Sequence, residues 1–203
     1  QQEATTGELG VRHQSESFTV DAALYRAHVD DELLALTDGA GNPLGTVNAD
    51  RTIHQGLELG LGWRFAPGWS VSANYLYNDF RFDGDAVFGD NELAGVPPQQ
   101  LRTELRWELD RRFFVAPHVE WAPQDYYVDH ANTFRAPGYT VVGVRVGGDL
   151  AEGLTWFMDA RNLQDRAWIA STNVVADARG LDGRNFLPGD GRSFYVGLEW
   201  RLP

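Results

Sequence analysis

The chain has 203 residues, 43% hydrophobic and 23% charged, which excludes an intrinsically disordered composition and suffices for one or two domains. It has no cysteine, so disulfide frameworks, thiolate metal sites and cysteine nucleophiles are excluded. The formal charge of -12 argues against a nucleic-acid partner, which needs a basic face, and all 17 basic residues are Arg. No apolar run is long enough for a transmembrane helix, and the opening QQEATTGELG shows no leader. A cytosolic protein, a processed one and a piece of a longer one all fit that start.

Period-2 alternation dominates and predicts nine strands. The first covers 5–14. The second covers 18–29, with Phe18, Val20, Ala22 and Leu24 on one face. The third, 52–65, sets Leu57, Leu59, Leu61, Trp63 and Phe65 against Glu58, Gly60, Gly62 and Arg64. The fourth, 69–82, sets Trp69, Val71, Ala73, Tyr75 and Tyr77 against Ser70, Ser72, Asn74 and Asn78. The fifth, LRTELRWEL at 101–109, alternates Arg102, Glu104, Arg106 and Glu108 with Leu101, Leu105, Trp107 and Leu109. The remaining four cover 113–121, 139–148, 154–163 and 192–202.

The connections alternate in length. Short ones fall at 15–17, 66–68, 110–112 and 150–153; long ones at 30–51, 83–98, 122–138 and 164–191. That rhythm predicts an all-β, antiparallel transmembrane β-barrel with short periplasmic turns and long extracellular loops. Leu101, Leu105, Trp107 and Leu109 then face lipid, and the charged residues between them face a polar lumen. Trp63, Phe65, Trp69, Trp107, Phe113, Trp156 and Trp200 form an expected aromatic girdle at the short-turn end. Tyr77, Phe80, Phe82, Trp121, Tyr126, Tyr127 and Tyr139 are candidates for a second girdle at the long-loop end. The alternative is a soluble β-sandwich with these aromatics in its core. Nine strands are odd in number for a single-chain barrel, so the chain is expected to be part of a larger one.

Several stretches carry a resemblance. Glu8-Leu9-Gly10, Gly56-Leu57-Glu58-Leu59 and Gly95-Val96-Pro97 are similar to recurring strand and loop-end motifs of TonB-dependent outer-membrane receptors. So are Asp129-His130-Ala131-Asn132-Thr133 with Ala136-Pro137-Gly138-Tyr139, Asn162-Leu163-Gln164-Asp165-Arg166, and Pro188-Gly189-Asp190-Gly191-Arg192. The stretch Tyr195 to Leu202 resembles the C-terminal signal read by the barrel assembly machinery, with Leu202 at the usual Phe or Trp position and Pro203 after it.

The resemblance implies that this is the C-terminal portion of a barrel of roughly 22 strands. The plug domain and the N-terminal strands would lie outside residues 1–203. It implies the outer membrane of a Gram-negative bacterium, contact with outer-membrane lipid, and energisation through the TonB complex by that N-terminal part. It also implies import of a small-molecule ligand, nearest to ferric chelates such as ferric citrate or to small anionic cofactors. A standalone barrel with a structural or adhesion role is the alternative.

Such transport needs no catalytic residue and no cofactor, and no Ser/His/Asp set shares a loop in a recognisable arrangement. Arg81, Arg102, Arg135 and Arg166 lie near the long loops and could hold carboxylate or phosphate oxygens bidentately. Cross-strand salt bridges are the alternative for each, and simple alternation from Trp69 places Arg81 on the lipid side. Tyr126, Tyr127 and Trp168 could stack on a planar ligand, or serve as girdle and loop-packing groups. The five His residues show no metal-ligand spacing. Asp177, Asp182 and Asp190 could contribute to a calcium site or simply to a solvated loop. Asn162 and Asp165 are expected to fix a turn by bonding local backbone.

Overall fold

The computed structural model describes residues 1–110, 112–183 and 186–201. Nine long strands pair antiparallel in chain order in one open sheet. They are β1 (Glu3–Gln14), β2 (Phe18–Thr37), β3 (Pro43–Ala66), β4 (Trp69–Phe82), β5 (Gln99–Asp110), β6 (Phe113–Ala122), β9 (Tyr139–Ala151), β10 (Leu154–Arg161) and β13 (Ser193–Trp200). Two short hairpins complete the chain: β7 (Tyr126–Tyr127) with β8 (Arg135–Ala136), and β11 (Ile169–Thr172) with β12 (Phe186–Pro188). All nine predicted strands are present. Leu202 and Pro203, the end of the expected assembly signal, lie outside the described residues.

Register decides the faces. One row runs Val11, Ala22, Leu59, Tyr75, Leu101, Trp121 across six strands, and the adjacent row runs Arg12, Asp21, Gly60, Asn74, Arg102, Glu120. Neighbouring strands agree on which parity is apolar, so a one-residue slip anywhere would mix the faces. The apolar face carries no second sheet among the described residues, and its large side chains stand open: Leu9 is 72% exposed, Leu24 55% and Trp107 41%. A soluble sandwich buries such a face; a barrel wall turns it to lipid. At the short-turn end Trp63, Phe65, Trp69 and Trp107 form a chain of ring contacts, the last pair stacked at 5.4 Å and 12°. These are four of the seven residues of the first expected girdle.

Two expectations fail. Residues 30–51 are not a loop: β2 and β3 continue as a paired hairpin until only 38–42 remain at its tip. There the Asp38 carboxylate accepts from the backbone N–H of Ala40 and Asn42, and Gly41 supplies a φ of 85°. The acidic, Gly- and Pro-containing sequence hid this extension, which cross-strand pairing sustains. Asp31, at φ 54°, interrupts the ladder between the pairs Asp30–Arg51 and Glu32–Ala49. Beyond it Glu32 and Leu34 reach the cluster around Thr52 and Phe82.

The second girdle is also mostly absent. Phe82, Tyr126 and Tyr139 are buried, and only Tyr77 and Trp121 of the seven stand open among the large exposed side chains. Phe82 packs with Ala49 and Leu93, and Tyr126 with Val128 and Ala136, so these aromatics form loop cores instead of an interfacial belt.

Candidate functional site

The inward face of β5, β6, β9 and β10 gathers charge, and each charge is placed by strand alternation. Arg102 pairs with Glu120 at 3.3 Å, and the Tyr139 hydroxyl donates to the same carboxylate at 2.7 Å. Arg106 bonds Glu108 at 2.8 Å and lies 3.5 Å from the centre of the Phe114 ring. Arg145 and Arg161 both donate to Asp159 Oδ2, at 3.0 and 2.9 Å. Such charge-assisted bonds offset the cost of burying a carboxylate that is only 1% exposed. His118 Nε2 stands 3.8 Å from the other oxygen, Asp159 Oδ1. Its ring lies across Gly143, where an added Cβ would fall 2.2 Å from Nε2. With Trp168 and the 188–190 segment, Arg102, Glu120, His118, Arg145, Asp159 and Arg161 line a concavity of about 700 Å³, in the range of small-molecule sites.

Above the wall the loops are sewn into one cap. Asp129 is fully buried in it and accepts from the backbone N–H of Thr133, Phe134 and Ala178 and from the Thr133 hydroxyl. His130 joins three loops: its N–H donates to Val175 O, its carbonyl accepts from Asn91, and its ring meets Phe82 and Phe88. Asn132 brackets Glu92 by bonding both its N–H and its carbonyl. The Thr37 hydroxyl donates to Val174 O, which ties the β2–β3 hairpin to the 164–191 loop. Burial pushes the His130 imidazole below its usual pKa, against the opposing pull of Asp129, Glu32 and Asp85. Burial opposes ionisation of Asp85, but main-chain N–H bonds from Phe88, Asp50 and Val87 outweigh it and hold that carboxyl low.

The seven residues singled out in the sequence fall in different places. Arg102 and Trp168 line the same wall concavity. The Trp168 indole donates to Asp190 O at 3.1 Å and packs against Tyr139. Arg135 donates to the Tyr127 hydroxyl at 2.6 Å and stacks on that ring, at the edge of a second concavity of about 550 Å³. Arg81 lies in the outward row with Tyr77 and Asp79 and pairs with Asp79 at 3.5 Å. Arg166 reaches Gly138 O at 3.5 Å, and Tyr126 is buried in a loop core with its ring committed to packing.

His118, Arg145, Asp159 and Arg161 were not among the residues singled out as ligand candidates. The available signal was polar residues on one parity of three strands that become neighbours, which appears only once β6 is known to pair with β9 across the 122–138 loop. The turn after β10 forms as expected at Asn162, whereas the Asp165 side chain bonds backbone 27 residues away instead of its own turn. Asn162, at φ 48°, bonds Arg166 N and O and Asp190 O, while the Asp165 carboxylate accepts from Arg192 N. Among the described residues no group of three or more His, Asp or Glu gathers where a metal ion could be held.

The family described as TonB dependent receptor-like, beta-barrel matches residues 1–163. The pesticin receptor of Yersinia enterocolitica is 27% identical over 173 residues, 79% of this chain and 24% of the relative. The ferrichrome outer membrane transporter/phage receptor of Escherichia coli K12 is 27% identical over 177 residues, 81% of this chain and 23% of the relative. The chain thus spans about a quarter of the length of the curated relatives it matches. Its fold superposes on the ferric yersiniabactin uptake receptor of Yersinia pestis with a TM-score of 0.79 at 22% identity, covering 98% of this chain and 30% of that one. The ferric citrate transporter superposes with a TM-score of 0.76 at 19% identity, covering 97% and 31%. The nine-stranded wall, its apolar outer face and this match over most of its length show that the chain belongs to the TonB-dependent receptor β-barrel family of Gram-negative outer membranes.

Proposed function

We propose that this chain is the C-terminal portion of the barrel of an outer-membrane receptor that imports a scarce small molecule, a ferric chelate, with energy delivered through the TonB complex. The observation that carries the reading is the family match over residues 1–163, with relatives named as a ferrioxamine receptor and a ferrichrome outer membrane transporter/phage receptor. The geometry supports it. A polar concavity opens on the inward face directly beneath a cap of extracellular loops, the place where a ligand from outside would first be held. The edges β1 and β13 leave ladder groups unpaired, which lipid does not tolerate, so further strands of the same receptor would close the wall. The plug and the TonB contact would belong to those further parts, and insertion would use the barrel assembly machinery.

The test is growth of the source organism under iron limitation on a panel of ferric chelates, with the full gene disrupted and then restored. Growth on at least one chelate should fail and recover on restoration, and should also fail when the inner-membrane potential is collapsed. Undiminished growth on every chelate would reject the reading.

A further inference from the structure

The outward face of β1 to β4 is apolar only up to a definite height. On β3, Phe65 of the girdle and Gln55 stand ten positions apart. For a strand rising about 3.3 Å per residue and tilted by about 40°, that is a climb of about 25 Å, the height of a barrel's apolar band. Gln55 therefore marks the boundary where hydrocarbon ends on the long-loop side. The row through it runs Gly7, Arg26, Gln55, Asp79, and the row beneath runs Leu9, Leu24, Leu57, Tyr77. The two rows line an outward-facing concavity of about 550 Å³ with an apolar floor and a polar roof. Gly7 helps to open it, because a Cβ built there meets no atom within 4 Å.

The roof holds one unmatched charge. Arg51 and Arg81, the neighbouring outward-facing Arg residues, are matched: Arg51 pairs with Asp30 and Asp83, and Arg81 with Asp79, which also accepts from Gln55 at 2.6 Å. Arg26 differs. Among the described residues no carboxylate pairs with it, and its side-chain hydrogen bond runs from Nε to His28 Nε2 at 3.1 Å. Arg26 is exposed, so its two terminal nitrogens are left for an acceptor from outside the chain. In a bilayer a hollow at this depth is filled by lipid, and the roof decides which lipid. A guanidinium takes phosphate oxygens bidentately. A headgroup without phosphate would leave Arg26 without a counter-charge at the edge of hydrocarbon, where an unmatched charge is costly.

We propose that this concavity seats one outer-leaflet lipid whose headgroup carries phosphate, with an acyl chain along Leu9, Leu24 and Leu57 and a phosphate on the Arg26 guanidinium. The seat lies on the opposite face of the wall from the concavity beneath the cap, and it does not rest on chelate import.

The experiment uses the full-length receptor in detergent, titrated with diphosphoryl lipid A and read by native mass spectrometry. The wild-type protein should retain lipid A and bind its fully dephosphorylated form about fivefold more weakly or worse. Arg26→Gln should weaken lipid A binding by about fivefold or more by removing the phosphate partner, and Gly7→Leu should do the same by filling the hollow. Arg12→Gln removes an exposed Arg that is paired with Asp21 on the row of the opposite face, and should leave binding unchanged. The comparison is made among barrels that keep heat-modifiable migration on gels; if one of the two site variants does not assemble, the other decides. Failure to retain lipid A would overturn the seat, as would equal binding of the dephosphorylated form or unchanged binding in the assembled site variants. So would an equal loss in Arg12→Gln, which would reduce the effect to net charge, or displacement of lipid A by inorganic phosphate, which would make the site one for a free anion.

Discussion

The wall and the cap solve the same problem, that of satisfying buried polar groups, by opposite means. In the wall each strand satisfies its backbone on its neighbours, and alternation sorts side chains into a lipid face and a polar face. In the cap the backbone is irregular, and a few buried side chains do what a ladder would do. Asp129 alone takes three main-chain N–H groups, and His130 and Asn132 bridge loops that are tens of residues apart in sequence. Damage to the wall should therefore be graded by face and depth, whereas damage to the cap should concentrate at a handful of positions.

The strongest attempt to break that contrast is a charge on the lipid face. Leu105→Arg in the full-length receptor should lower barrel stability by about 2–4 kcal/mol if the site lies near the bilayer midplane. It should sharply reduce the heat-modifiable form in outer membranes, while Glu104→Gln one residue away leaves that form nearly intact. Equal yields would mean the faces are assigned the wrong way round.

Asp129→Ala comes next. It leaves buried N–H donors unmatched, each worth about 1–3 kcal/mol, and the expected signature is local. Hydrogen exchange should accelerate in 83–98, 122–138 and 164–191, with β5, β6 and β9 unchanged. Faster exchange throughout the wall would show that cap and wall are one cooperative unit.

Acidification sharpens the comparison further. The folded His130 has a pKa below the 6.5 of the free imidazole, so the opened cap binds the proton more readily. The stability due to neutral His130 is complete above pH 6.5 and is lost as the pH falls below it. Between pH 7.5 and 5.5 trypsin should cut the cap loops faster by no more than about tenfold, and His130→Gln should remove much of that dependence. The smallest effect belongs to Arg102→Gln, because an ion pair whose Arg side chain is 72% exposed contributes about 0.2–1 kcal/mol. Its thermal midpoint should be nearly that of the wild type.

The same contrast explains what could be read in the sequence. All nine strands and the two faces were legible, because period 2 is a local property and Leu101 to Leu109 displays it residue by residue. The β2–β3 extension was not, because DDELLALT and PLGTVNAD look like loop until their pairing is seen. Phe82 and Tyr126 passed for interfacial residues because nothing local separates an aromatic that meets lipid from one that packs under a loop. Of the candidate site, Arg102 and Trp168 were found because they flank long connections. His118, Arg145 and Asp159 come from three strands and converge only through the β6–β9 pairing, which spans a connection that sequence patterns leave unread.

The stitching of the cap also bears on how such a receptor can be re-engineered. Three loops share one set of hydrogen bonds around Asp129, His130 and Asn132, and Thr37 ties the β2–β3 hairpin to one of them, so none of the four is a self-contained module. A graft that replaces 122–138 alone removes the carboxylate on which Ala178 depends and the carbonyl that holds Asn91. Recipients of a single transplanted loop should lose their shape in the other three, and exchange between relatives should succeed only when the loops travel as a set.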